Sequence, residues 1–186
     1  MNKWAWVAVF FVLAAVSLGA QSVDLAAGGG TALAGKQVDN NVAGGFWPEL
    51  SATKMFDAHI GINGEFSTHL EVGKFAAHPW VLDANFVLRP GPMRFTPELM
   101  LGYGWFDTGP ADVGCEANLL VPCTIPKLNR SSFHLGGAVR TYLQGPVFLQ
   151  VEYHLYLGDR LWLGESGFRG RITRLAVVLG YTWGKT

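Results

Sequence analysis

The side chains of this chain that could move protons or hold ions recur at alternating positions. Glu65, Asp83, Glu98, Arg140, Glu152 and Arg174 belong to this set. Asp24, Glu49, Arg89, Arg94, His59, His134, His154, Asn63, Asn85 and Gln150 share their parity within the surrounding segments. A carboxylate beside an imidazole can do general acid–base work. The same groups can also simply pair, because a buried charge is tolerated only when it is paired and hydrogen-bonded. Structural ion-pair networks resemble active sites in this respect, and interior charge in a barrel is more often structural. Arg140 and Arg174 are expected to pair with Glu65, Glu98 and Glu152, with Asp83 in the same network. No catalytic residue is assigned. A metal centre needs three or four converging ligands. The linear pattern does not show such convergence, so neither a metal nor a cofactor is expected.

The elements that position these groups follow from the alternation itself. In RFTPELMLGYGWF, residues 94–106, Phe95, Pro97, Leu99, Leu101, Tyr103 and Trp105 share one parity, and Arg94, Thr96 and Glu98 share the other. Successive side chains of a strand point to opposite faces, so the stretch reads as a two-faced strand. The pattern recurs at 132–143, 147–157 and 174–183, and more weakly at 80–89, 58–67, 46–53 and 23–30. Pro48 has no N–H for a ladder and is expected at a bulge or a strand start. Connections at 54–57, 90–92 and 144–145 are short; those at 31–43, 70–79, 107–130 and 158–170 are long. The two kinds alternate strictly. The predicted fold class is all-β, an eight-stranded antiparallel up-and-down transmembrane β-barrel. In such a barrel one set of ends carries short turns and the other long loops, the apolar parity meets lipid, and the polar parity fills the interior. Trp80, Trp105 and Phe133 fall at strand ends beside long connections, and Phe95 and Trp183 at the opposite ends. Membrane interfaces favour such rings.

The whole chain has 186 residues, 14 basic and 14 acidic, with 49% hydrophobic residues and 24 glycines. No basic patch points to nucleic acid. Residues 1–20 read as a secretory signal peptide: Lys3, the apolar run WAWVAVFFVLAAV, then SLGA before Gln21. Residues 21–186 form the barrel domain. This mature part has no apolar run of about 18 residues, so only a closed barrel could carry it across a bilayer. Export permits disulfides, and a Cys115–Cys123 bridge is favoured over two free thiols in the longest connection. Lys127, Arg130, Arg169 and Arg171 lie near the expected outer rim and could meet lipopolysaccharide phosphates.

The cassettes GFWPELSATKMFDAHIGINGEFS, VLDANFVLRPGPMRFTPELMLGYGWF, FHLGGAVRTYL, VFLQVEYHLYL and RLAVVLGYTW together resemble the small eight-stranded outer-membrane barrels, of the OmpA transmembrane domain and OmpX type. The resemblance covers nearly all of the mature chain and is architectural, since no single motif is invariant. It implies a monomer in the bacterial outer membrane with a plugged, charged lumen. It implies contact with lipid, lipopolysaccharide and the barrel-insertion machinery, and a structural, adhesive or interaction role through surface loops. Loop 107–130 is the candidate for a surface partner. Two alternatives remain. Lipid A deacylase barrels use a His-x-Ser motif with a later Glu; here Tyr156 follows His154 at the place of that Ser, and Glu165 and Ser166 come later. Gly45-Phe46-Trp47 resembles the G-x-W of lipocalins, secreted carriers of small lipids that keep their apolar face inside.

Overall fold

The computed structural model describes residues 22–34, 44–70, 79–91, 93–107, 111–112, 124–125, 129–157 and 171–184. The expected signal peptide, Cys115, Cys123, Lys127, Glu165, Ser166 and Arg169 lie outside them. The strands are β1 (Ser22–Ala34), β2 (Gly44–Met55), β3 (Ile60–Thr68), β4 (Trp80–Leu88), β5 (Phe95–Asp107), β6 (Ala111–Asp112), β7 (Thr124–Ile125), β8 (Asn129–Gln144), β9 (Val147–Leu157) and β10 (Arg171–Gly184). Eight of them close into a barrel in the order β1-β10-β9-β8-β5-β4-β3-β2, while β6 and β7 pair as a separate ribbon within the longest connection. Every pairing is antiparallel. The seam is β1 against β10, from Ser22 opposite Gly184 to Ala34 opposite Ile172. Closure leaves no unpaired sheet edge, which hydrocarbon would not tolerate.

Burial follows the period-two pattern strand by strand. In β3 and β4 inward residues are buried and their outward neighbours are more exposed. Leu50, Ile62, Phe86, Leu99, Leu101, Leu135, Val151 and Leu179 all stand on the outside, exposed. Asp24, Glu49, Glu65, Asp83, Glu98, Arg140, Glu152 and Arg174 are buried. A water-soluble barrel would carry these faces the other way round. Rings gather at the ends of the outer surface. Tyr103 meets Trp105 and Phe133 edge-on, at 5.0 and 4.9 Å between centroids, beside the long connections. Tyr181 and Trp183 lie 4.5 Å apart at the short-turn end.

Glycine permits the tightest part of the wall. A Cβ on Gly28 or Gly30 would fall 2.1 or 2.0 Å from the carbonyl oxygens of Val177 and Leu175. Only residues without a side chain allow β1 to approach β10 so closely. Outside, the Phe46 ring covers Gly29 and replaces the missing side-chain contact. At the β8–β9 turn, Gly145 takes φ +57°, which glycine adopts at no steric cost.

Several expectations need adjustment. Lys54 and Met55 belong to β2, so the first short turn lies at 56–59. There Asp57 accepts the N–H groups of His59 and Ile60, both at 2.7 Å. His59 is exposed on this turn, its Nδ1 3.2 Å from the Arg89 carbonyl. Arg94 precedes β5 and is exposed rather than interior. Pro48 is neither a strand start nor a bulge. It sits inside β2 opposite Gly29, where the ladder to β3 is interrupted between the Glu49–Ser67 pair and the isolated Phe46–Leu70 bridge. Its missing N–H accounts for the gap. The register shift of β2 against β1 falls just beyond it, at Gly30/Ala32.

Candidate functional site

The inward side chains form two charged layers, and the strand ends decide which residues share a layer. Near the short turns, β1 supplies Asp24, β5 Glu98, β8 Arg140, β9 Gln150, and the end of β4 leads into Arg89. Arg140 Nη1 donates to Asp24 Oδ2, and its Nε donates to Gln150 Oε1 at 2.7 Å. Arg140 Nε also lies 3.3 Å from Glu98 Oε1. Arg89 Nη2 reaches the same two carboxylates, at 3.3 Å from Asp24 and 3.1 Å from Glu98. Two guanidiniums thus face two carboxylates. The Arg140 guanidinium also lies 3.8 Å from the centroid of the Phe148 ring. That ring occupies the space where a Gly180 Cβ would be.

Nearer the long connections the composition changes. Glu49 on β2, Glu65 and Ser67 on β3, Asp83 on β4, His134 on β8, Glu152, His154 and Tyr156 on β9, and Arg174 on β10 are all buried. Arg174 Nη2 donates to Glu65 Oε2. Its Nη1 lies 3.1 Å from Asp83 Oδ2 and donates to Ser67 Oγ at 2.9 Å, while Glu49 is 3.7 Å from Nη2. Tyr156 donates to Asp83 Oδ2 at 2.6 Å. An amide relay runs beneath: Asn85 Nδ2 donates to Asn63 Oδ1 at 2.8 Å and to Glu65 Oε1 at 3.1 Å, and Asn63 donates to Thr53 at 3.0 Å. His134 Nε2 donates to Asn85 Oδ1. Glycines make room for this layer. A Cβ on Gly102 would strike Asn85 Oδ1 and His134 Nε2, and one on Gly104 would strike Asp83 Oδ1. Above it, Ala32, Trp47, Val81, Phe106, Tyr156 and Ile172 pack as an apolar cluster.

The structure brings together Arg140 with Glu98 and Arg174 with Glu65. It does not bring an arginine to Glu152. Glu152 instead accepts from Gln150 Nε2 at 2.8 Å and lies 3.6 Å from His154 Nε2. The cause is register: Glu152 stands directly opposite Ala138 and Ala176, while Arg140 and Arg174, opposite Gln150 and His154, are turned to other carboxylates. Asp24, Arg89 and Glu49 complete the ion pairs; their polar parity was the available signal. Two groups of ligand-type side chains converge, although the linear pattern gave no hint of it. Asp83, His134 and His154 form one, and Glu65, Glu152 and His154 the other, with their donor atoms within 4.8 Å of one another. Arg130 and Arg171 stand on the backbone of β8 and β10; their side chains are outside the described part, as are Lys127 and Arg169.

Comparison with known proteins bears on the fold. The chain is similar to the N-terminal β-barrel domain of Pseudomonas aeruginosa OprF, at TM-score 0.62 and 11% identity, covering 89% of this chain and 99% of that one. The fold is that of the small eight-stranded outer-membrane barrels. Neisserial surface protein A is similar at TM-score 0.52 and 13% identity over 86% of this chain and 95% of its own. The Yersinia pestis attachment invasion locus protein Ail is similar at 0.53 and 11%, over 87% and 97%. No protein-family description and no curated protein matches the sequence.

The inversion of faces disposes of the carrier reading: the lipocalin-like Trp47 packs in an apolar cluster above charged interior layers, and the extended apolar face is outside. The deacylase resemblance loses its geometry as well. His154 and Tyr156 are buried at the barrel centre, and the Tyr156 hydroxyl is engaged by Asp83.

Proposed function

We propose that this protein is a non-enzymatic, monomeric barrel of the bacterial outer membrane. Its charged lumen is a plug, and its long connections serve an envelope-structural or surface-interaction role. The observation that carries this reading is the inversion of faces: an apolar exterior around an interior crossed by two layers of buried, charged side chains. An eight-stranded barrel has an interior only wide enough for side chains, and these layers draw on every strand of the wall. Ail, named for attachment, and the Neisserial surface protein offer precedents for a surface role on this fold. The connection between β5 and β8 is the longest, and its β6–β7 ribbon pairs Ala111 with Ile125 and Asp112 with Thr124. A Cys115–Cys123 bridge would staple the segment that this ribbon brackets. Lys127, Arg130, Arg169 and Arg171 are the proposed contacts for lipopolysaccharide phosphates, and the barrel-insertion machinery is the expected partner in biogenesis.

The test is fractionation, comparison of boiled and unboiled samples on a denaturing gel, and conductance in a planar bilayer. Outer-membrane recovery, a faster-migrating unboiled form and no steady conductance are expected. A soluble location would overturn the membrane reading. A stable open channel would overturn the plug.

A further inference from the structure

We propose that the acid-rich layer is a binding site for one divalent transition-metal ion, held by Asp83, His134 and His154. The argument starts from a tautomer. Asn85 spends its amide N–H groups on Asn63 and Glu65, which leaves Oδ1 facing His134 as an acceptor. His134 must therefore carry its proton on Nε2, where it donates to Asn85. In the neutral ring Nδ1 is then a bare lone pair. That lone pair faces Asp83 Oδ1 at 3.6 Å. Two acceptors face each other in the buried interior, and neither atom has a hydrogen-bond partner among the described residues. A cation between them resolves the conflict. Zinc-like ions bind imidazole nitrogen and carboxylate oxygen at about 2.0–2.2 Å, so tetrahedral ligands lie about 3.3 Å apart. The observed gap is within a small adjustment of that.

His154 supplies the third ligand. Its side chain is fully buried, and both ring nitrogens lack hydrogen-bond partners. One of them lies within 4.8 Å of the Asp83 and His134 donor atoms. Nε2 is 3.4 Å from Glu65 and 3.6 Å from Glu152, so the carboxylates of the second group stand beside the ring as orienting neighbours. The outer ring is already built: ligating histidines typically donate their other N–H to an amide or carboxylate oxygen, as His134 does to Asn85. Charge points the same way. Among the described residues this layer holds one arginine, Arg174, which lies against Glu49, Glu65 and Asp83, and Glu152 is buried in the same layer. Four carboxylates against one guanidinium leave three uncompensated negative charges when the carboxylates are ionised and the histidines neutral. A divalent ion reduces that to one. Two imidazoles with one carboxylate select zinc, nickel, copper or cobalt over calcium or magnesium, which take oxygen ligands.

The full mature chain should be refolded into detergent with Co2+ or Zn2+, freed of excess metal, and assayed for bound ion, visible absorption of the cobalt form and X-ray absorption of the zinc form. About one equivalent retained is expected, with imidazole scattering and a first shell at about 2.0–2.1 Å. His134→Gln and His154→Gln should each lower retention at least tenfold; His59→Gln, on the exposed turn, should leave it unchanged. Heat-modifiable migration reports folding of every variant. If His154→Gln fails to fold, Asp83→Asn and the absorption spectrum of the wild type decide. No retained ion in the folded wild type, a shell without imidazole, or unchanged retention in the folded histidine variants overturns the proposal.

Discussion

Replacing Arg174 by Met should destabilise the barrel more than replacing Arg140 by Met, although both arginines are buried and paired. The difference lies in what remains behind. Without Arg140, Asp24 and Glu98 still have Arg89 at 3.3 and 3.1 Å. The loss is then that of charge-assisted hydrogen bonds, on the order of 1.5–3 kcal/mol. Without Arg174, Glu65 and Asp83 lose their one guanidinium among the described residues, and Glu49 loses the nearest cation. Stranding buried charge costs about 3–5 kcal/mol. The expected gap, roughly 1.5–2 kcal/mol, is about ten- to thirtyfold in the folding equilibrium. Urea titrations of barrels refolded into short-chain lipid vesicles, followed by tryptophan fluorescence, would measure it. The Glu65→Gln/Arg174→Met double variant should recover part of the loss by removing one stranded charge. Equal losses for the two single variants, or no recovery in the double, would refute the picture of a balanced layer beside an acid-rich one.

Other parts of the molecule can be tested in the same assay. Leu135→Arg places a cation on the lipid face between Leu101 and Leu155; a cost of about 2–4 kcal/mol is expected if this belt lies at the bilayer midplane, and a neutral outcome would place Leu135 outside the hydrocarbon. Gly30→Val should prevent closure of the β1–β10 seam, because its Cβ would meet the Leu175 carbonyl oxygen at 2.0 Å, so the fast-migrating unboiled form should disappear. Asp57 lies on the exposed turn, where the N–H groups of His59 and then Ile60 hold its carboxyl below the usual value. A depressed folded-state pKa gives stability that is present above the unfolded pKa and lost as pH falls through the folded one. The stability gap between wild type and Asp57→Ala should therefore be constant near neutral pH and narrow in acid, and a gap that widens in acid would contradict this.

The faces of the strands were legible in the sequence because period-two alternation is a local property. Leu99 and Glu98 declare their sides without reference to any other strand. Boundaries were less legible: Lys54 and Met55 look like turn residues, yet β2 runs through them to a turn fixed by the Asp57 side chain. Pairing inside the lumen was legible only in part. Arg140 meets Asp24 across 116 residues of sequence, and Arg174 meets Glu65 across 109. Which side chains meet depends on the stagger of strands around the closed wall, which no single strand encodes. Glu152 shows the consequence, since its charge suggests an arginine and its register gives it Gln150 and His154. The converging ligands of the acid-rich layer were hidden for the same reason, coming from β3, β4, β8 and β9. Overall neutrality, with 14 residues of each sign, conceals the split between the layers.

Asn85 offers the sharpest test of how that split is organised, because it is the hinge of the hydrogen-bond directions. Its Nδ2 donates to Asn63 Oδ1 and Glu65 Oε1 while its Oδ1 accepts from His134. Asn85→Asp keeps the shape and removes the donor of two bonds. An oxygen would then face the Asn63 carbonyl at 2.8 Å and the Glu65 carboxylate at 3.1 Å, and a fifth carboxylate would join Glu49, Glu65, Asp83 and Glu152. Asn85→Ala removes the amide and leaves its partners unsatisfied, but adds no charge. On size alone the aspartate is the milder change. On electrostatics it is the worse, because an unsatisfied polar group costs about 1–3 kcal/mol and an unpaired buried charge about 3–5. Asn85→Asp should therefore unfold at lower urea than Asn85→Ala. The opposite order would mean that the layer tolerates added negative charge, and that its side chains are set by packing rather than by the direction of their hydrogen bonds.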